Sequence, residues 1–322
     1  MEKKYYSVEA VSNSSLSWFE QSPLYFKKLL NKEIQQETFP WATKGQQIHM
    51  FLLEPDEFEK NYTHLDYDTP KTEQQRSFCQ KISDLGRKNE DPSDIYKEFY
   101  SSKGKSDEKI KKDAEDLRSK FEPYLEYLQQ SKNYKEILSE STYSLLQDIK
   151  SEVLKHDAAA RLLGFSEDLF GDAEGFNELP IYFNDVQTGI DCKSLLDRVI
   201  IDRKKKEITL IDIKSCNTFK NFKDRIRDFN YDRQLAFYWR ALYHHFKDEM
   251  KSKEYKFNTY IIAINTNYLV EVKVIKIPEQ MIKEADDDVN RKLTRISWHY
   301  DNNKWEYDRE YYTNDGIESL KL

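Results

Sequence analysis

Residues 189–238 constrain the fold more than any other stretch, because they place charge where a sheet should be apolar. Two short runs, 194–201 and 207–213, are rich in aliphatic and β-branched residues and read as strands. Asp202, Arg203, Lys204, Lys205 and Lys206 make a polar turn between them, so the pair reads as a hairpin. Strand side chains alternate faces, which puts Asp212 and Lys214 on one side and Ile211 and Ile213 on the other. Asp197 lies in the first strand. Two carboxylates and a lysine among apolar neighbours are an unusual thing to place in a sheet, since a charge buried without a partner is costly.

The rest of the chain reads mostly as helices around this hairpin. Ser12, Asn13 and Ser14 are helix-capping types ahead of Leu16, Trp18 and Phe19, and Pro23 starts a second helix with Tyr25, Phe26, Leu29 and Leu30 as its apolar face. Residues 43–59 read as a helix ended near Pro55, with Ile48, Phe51, Leu52 and His49 toward one side. From Lys71 to about Lys155 the chain is helical and charge-rich, an elaboration of one domain. Residues 176–183 read as a strand with Glu178 near its start. Residues 217–229 lead into a helix over 231–245, where Tyr231, Gln234 and Tyr238 line one face. Residues 255–265 and 269–277 form a second strand pair, and Pro278 begins a further helix. The expected organisation is one domain over 1–322. It has N-terminal helices in 1–60, a helical insertion in 61–160, a sheet core with flanking helices in 176–300, and a tail in 301–322.

Composition narrows the function. With 8 glycines in 322 residues, a glycine-rich phosphate-binding fold is disfavoured. Cys79, Cys192 and Cys216 are widely spaced and form no CxxC, which argues against a disulfide framework or a zinc knuckle and suggests a reducing compartment. The N-terminal residues lack the apolar core of a signal peptide and no apolar run approaches membrane-spanning length, so the expectation is a cytoplasmic protein without a membrane partner. The net charge of -7 does not advertise nucleic acid, but local patches decide steering. Lys193, Arg198, Arg203, Lys204, Lys205, Lys206, Lys220, Lys223, Arg225 and Arg227 concentrate cations around the hairpin, where they could neutralise phosphates.

Paired carboxylates can serve acid–base hydrolysis, sugar chemistry or hard-metal binding. The Asp-Ile-Lys tripeptide at 212–214 tilts the choice. A lysine two residues from an aspartate, on the same strand face, can sit beside a carboxylate-bound Mg2+ and orient or deprotonate water for attack on a phosphodiester. Asp197, Asp212 and the backbone carbonyl of Ile213 would suffice for one ion. A bare Asp-x-Lys is common, so the pattern around it has to carry the argument.

Five segments supply that pattern, in order: SNSSLSWFEQSPLYFKKLL, KGQQIHMFLLEP, Glu178 before a strand, KSLLDRVIIDRKKKEITLIDIKS, and YDRQLAFYWRAL. Together they resemble the PD-(D/E)xK nuclease superfamily, and within it the RecE-like (exodeoxyribonuclease VIII-type) phage exonucleases, related to the RecB nuclease domain and lambda exonuclease. The resemblance covers most of the chain outside 60–160. It implies an α/β, restriction-endonuclease-like core, with a central mixed sheet flanked by helices. It implies metal-binding roles for Asp197 and Asp212, and for His49 as the histidine of a GxxxH-type helix. Lys214 becomes the catalytic lysine, Gln234 and Tyr238 flank the site, and Glu178 matches an acidic position ahead of the central strands. Tyr231, and Lys44 at a DNA end, are candidate DNA contacts. The implied cofactor is Mg2+, one or two ions, with Mn2+ able to substitute. The implied activity is resection of one strand of linear duplex DNA, 5′ to 3′, giving single strands for an annealing recombinase. A ring-shaped trimer or tetramer and a phage- or prophage-encoded origin in a bacterial cell go with it. A restriction-type or RecB-like endonuclease, or an inactive DNA-binding protein on the same fold, remain alternatives. Ser194, Leu195 and Leu196 stand where a glycine or arginine often precedes the metal aspartate, and three separated cysteines exclude the iron–sulfur variants.

Overall fold

The computed structural model describes residues 2–35, 40–86, 91–130, 135–165, 173–247 and 255–317. The chain forms two compact units, one of Met1–Pro55 with Leu145–Leu322 and one of Asp56–Ser144. The second unit gathers helices Glu73–Asp84, Ser93–Phe99, Asp107–Lys120 and Glu122–Gln130 around Phe78, Ile82, Ile95, Phe121 and Leu125. It also holds a short parallel pair, Tyr62–Thr63 with Glu136–Ile137.

The first unit is built on a five-stranded sheet. Its strands are β1 (Glu174–Asn184), β2 (Asp191–Asp202), β3 (Glu207–Cys216), β4 (Lys256–Thr266) and β5 (Val270–Lys276), hydrogen-bonded in that order. The β3–β4 pair is parallel and the other three pairs are antiparallel, so the sheet is mixed, as expected. The β2–β3 turn closes at Asp202↔Glu207, where Asp202 Oδ1 accepts the Lys205 N–H at 2.8 Å.

Helices that frame the sheet include α1 (Asn13–Gln21), α2 (Pro23–Leu30), α3 (Pro40–Leu53), α4 (Phe222–Asp228) and α5 (Tyr231–His245). Another, α6 (Glu279–Asn302), follows the last strand. A parallel pair needs a crossover, and α4 and α5 supply it between β3 and β4. The core sets Leu16, Phe19 and Phe26 beside Leu235, Phe237, Val289 and Leu293, against Ile181, Leu196, Val199, Leu210 and Ile261 of the sheet. Burying aliphatic side chains of this size stabilises by roughly 1.5–3 kcal/mol each relative to exposure.

Two local expectations change. The helix expected to end near Pro55 does end there, at Leu53, because proline has no N–H to continue the ladder and disfavours helical backbone before it, but the residues that follow form a separate short helix, Pro55–Asn61. The polar stretch before Tyr231 contains a helix of its own, α4, bracketed by Asn221 and Asn230, both at φ 56°. Asparagine tolerates this left-handed conformation better than most residues. Within the tail, 318–322 lie outside the described residues. No described helix is long and apolar enough to cross a membrane.

Candidate active site

The site forms where strand pairing runs out. The β2–β3 ladder runs from Asp202↔Glu207 to Arg198↔Ile211 and stops. The next residues in that register are Asp197 and Asp212. Beyond them β3 continues alone beside β4, as far as Cys216↔Asn265. The Ile213 N–H on the opened edge donates to Asp197 Oδ2 at 2.7 Å. The Ile213 carbonyl accepts from His49 Nε2 at 3.0 Å. Side chains from β2 and α3 thus satisfy backbone groups that would otherwise be orphaned in the sheet.

The other edge of β2 is distorted at the same level. β1 and β2 keep one register throughout, but Glu178 and Asp197 are the opposed residues without a pairing between Glu174 and Asn184. Glu178 sits at φ 44°, a conformation that costs of order 1–3 kcal/mol for a residue with a side chain. On β1 the core-facing set is Phe176, then Leu179, Ile181 and Phe183. The step across Glu178 is three residues where alternation demands two, so the strand changes phase there. The distortion brings the Glu178 carboxylate to the His49 ring, with Oε1 3.8 Å from Nδ1, while Asp197 Oδ2 is 3.5 Å from the same nitrogen.

His49, Glu178 and Asp197 each offer one ligand atom, and these atoms lie within 4.8 Å of one another. Beside them, Asp212 is 1% exposed. Lys214 Nζ lies 2.6 Å from its Oδ2 as an ion pair, whereas Oδ1 is buried with no hydrogen-bond partner among the described residues. A buried carboxylate oxygen without a partner is costly, and a cation would relieve it. Oxygen donors with one imidazole suit a hard or borderline divalent cation. The residues fit such an ion.

The site's electrostatics show how strongly the acids and bases depend on one another. Burial pushes the Asp212 carboxyl up, Lys214 pulls it back and Asp197 pushes it up again, leaving it at about 6. Burial also raises Asp197, against the pull of His49 and Lys214. Burial alone would lower the His49 imidazole, but Asp197 and Glu178 outweigh it and raise it to about 9. Lys214 is raised as well, since Asp212 and Asp197 overcome the burial that would lower it. Without a metal ion the two cations His49 and Lys214 offset part of the charge of the three carboxyls Glu178, Asp197 and Asp212.

Helix α5 presents Tyr231, Gln234 and Tyr238 toward this end of the sheet. The Tyr231 ring takes Lys214 Nζ at 4.9 Å from its centroid, and Gln234 Nε2 donates to the Tyr238 hydroxyl at 2.6 Å. Burial, then the nearby Asp197 and Asp212, push the Tyr238 hydroxyl well above its usual value, so it stays protonated.

The expected phosphate contacts divide. Lys220, Lys223 and Arg227 are exposed and Arg225 is half-buried, with Arg227 3.6 Å from Glu284. Lys44 Nζ donates to the Thr266 carbonyl at 3.4 Å. Two expectations need correction. Arg198 is buried and spends its guanidinium on the Leu162 carbonyl at 2.7 Å and on Asn177 Oδ1, so it is not available to a phosphate. Lys193 Nζ is taken by the carbonyls of Tyr5 at 3.1 Å and Val8 at 2.6 Å, and it ties down the N-terminal segment.

One functional support went unseen in the sequence. Arg233, next to Gln234 on α5, is 1% exposed. Its Nε donates to Asn13 Oδ1 at 3.1 Å, Nη2 to Ser17 Oγ at 2.6 Å and Nη1 to Glu20 Oε2 at 2.7 Å. The three partners recur along one face of α1, a spacing that signals a helix face but not what it grips. This clamp fixes the turn of α5 that carries Tyr231 and Gln234.

Comparison with known proteins bears on the family and the fold. No curated protein matches the sequence. Among solved structures the chain is similar to a candidate exonuclease from Eubacterium rectale, at a TM-score of 0.50 and 12% identity, covering 98% of this chain and 90% of that one. At that identity the likeness speaks to the fold, a mixed sheet flanked by helices. The model of a PDDEXK-like domain of unknown function (DUF3799) matches residues 12–308, and a domain of this type supports a nuclease. The chain belongs to this PDDEXK-like family.

Proposed function

We propose that the protein is a divalent-metal-dependent deoxyribonuclease acting on the ends of linear duplex DNA, a RecE-like exonuclease. The observation that carries the reading is the convergence, at the opened β2–β3 edge, of His49, Glu178 and Asp197 with the Asp212–Lys214 pair. His49, Glu178, Asp197 and the free Oδ1 of Asp212 would hold Mg2+ or Mn2+, with the Ile213 carbonyl adjacent. The bound ion would supply charge stabilisation for the attacking and leaving oxygens of an in-line displacement. Lys214, kept as an ammonium by Asp212 and Asp197, would orient the attacking water through its N–H groups. Gln234 and Tyr238, bonded to each other, would line the site beside Asp197 and Asp212, and the exposed Lys220 and Lys223 would neutralise phosphates. Resection from 5′ ends, leaving a single strand for an annealing recombinase, fits the RecE-like reading.

The test is digestion of end-labelled linear duplex with Mg2+, run beside covalently closed circles of the same sequence. Degradation of the linear DNA alone, with 5′ label released first, is the expected result. Cutting of closed circles would replace the exonuclease with an endonuclease of the same superfamily.

Metal binding carries its own prediction. In the ion-free protein His49 holds a proton up to about pH 9, and a metal must displace that proton. Calorimetric titration with Mn2+ should show affinity rising about tenfold per pH unit around neutrality, with proton release. His49→Ala should weaken Mn2+ binding by more than about tenfold, the scale on which even outer-sphere partners act, and should lose the proton release. Unchanged Mn2+ affinity in His49→Ala would remove it from the ligand set.

A further inference from the structure

The Lys214–Tyr231 contact continues outward. Phe229, which closes α4, stacks on the Tyr231 ring with centroids 5.8 Å apart and planes at 26°. Phe229 is 60% exposed. A ladder therefore runs from the Lys214 ammonium, through the half-buried Tyr231 ring, to a ring open to solvent. The residue between the two rings, Asn230, is left-handed at φ 56°, which folds the chain sharply enough for neighbours two apart to stack. Single exposed apolar side chains are ordinary on protein surfaces. This one differs because it ends a continuous stack that begins on a lysine of the candidate active site. The connection carries cations interspersed with Asp224, Asp228 and Asp232: Lys220 and Lys223 are exposed on it, and Arg225 acts electrostatically on Tyr231. An open aromatic face bordered by cations is the chemistry that holds single-stranded nucleic acid, where bases stack and phosphates are neutralised.

We infer that Phe229 is a base-stacking platform, receiving an unpaired nucleobase that flanks the phosphate held at Asp212 and Lys214. The inference rests on the DNA-hydrolysis reading of that site. It assigns to Phe229 the part of recognition that distinguishes a frayed or single-stranded end from intact duplex, because a base can reach an exposed ring only after leaving its own stack.

The test uses the full-length protein with Ca2+ in place of Mg2+ to hold the substrate uncut, and fluorescence anisotropy of a short labelled single-stranded oligonucleotide. Phe229→Ala is expected to weaken binding by about 5- to 100-fold, and Phe229→Trp to restore it. An abasic residue walked along the oligonucleotide should weaken the wild-type complex at one position and leave the Phe229→Ala complex unaffected there. Wild-type affinity in Phe229→Ala, or abasic losses equal in both proteins at every position, would overturn the inference and leave the nuclease reading standing. Absence of any nucleic-acid binding by the wild-type protein would sink the nuclease reading and the inference with it.

Discussion

Lys214→Ala should lower phosphodiester hydrolysis by about 10²- to 10⁴-fold, the range spanned by a positioned acid–base group, while the protein stays folded and keeps its metal affinity. Asp212→Ala should lose activity at least as completely, and metal affinity with it. The contrast follows from the geometry. Among the carboxylates Lys214 pairs with Asp212 Oδ2, and its other close contact is the Tyr231 ring, so its removal leaves Asp212 Oδ1, Asp197, Glu178 and His49 in place to bind an ion. Removing Lys214 strands a buried carboxylate, which would ordinarily be expensive. Here the Asp212 carboxyl, already raised to about 6 by burial and by Asp197, can take up a proton or an ion instead. The destabilisation should therefore be modest in the ion-free protein and smaller still with Mn2+ present. The measurements are cleavage rates on linear duplex, thermal melting with and without Mn2+, and Mn2+ calorimetry on each variant. Full activity in Lys214→Ala with intact Mn2+ binding would overturn the role given to the lysine.

The features that made this site legible in the sequence are local. Alternation along β3 placed Asp212 and Lys214 on one face, and helical spacing placed Tyr231, Gln234 and Tyr238 together, because both periods depend only on neighbours in the chain. The α5 boundaries agree with the expected 231–245 for the same reason. What stayed hidden depends on distant contacts. Glu178 looked like an acid near a strand's start, and nothing local announces the left-handed residue and the phase change that turn it toward His49. Arg198 counted toward a basic patch because a charge tally is blind to burial. In the fold, Gly164 and Gly175 make room for its guanidinium, and a Cβ at either would crowd Nη2. Arg233 sits in the most recognisable helix of the chain, yet its partners lie more than 200 residues earlier.

Arg233→Ala should carry the largest stability loss of any substitution outside the apolar core, about 3 kcal/mol in urea unfolding. Breaking a buried, fully hydrogen-bonded charge usually costs about 3–5 kcal/mol, and the lower end applies because the Glu20 partner is 40% exposed. Glu20 would still have Lys292, 3.0 Å from its other oxygen, whereas Asn13 and Ser17 would lose the donors that α5 supplies. Arg233→Lys should recover little, since one ammonium cannot serve three acceptors spread along a helix face. The same clamp sets a pH dependence. Burial would raise the Glu20 carboxyl, but Arg233 and Lys292 overcome it and hold it below 4.5. A carboxyl lowered on folding contributes stability that is present above its unfolded value and is lost as pH falls through its folded value. The urea midpoint of the wild-type protein should therefore drop below about pH 4.5, and Arg233→Ala, whose midpoint starts lower, should show a shallower drop. Parallel pH profiles in the two proteins would mean that Arg233 does not hold Glu20 in the charged form. The tie between α1 and α5 would then rest on apolar packing of Leu16 and Phe19 against Leu235 and Ala236, with the arginine merely accommodated.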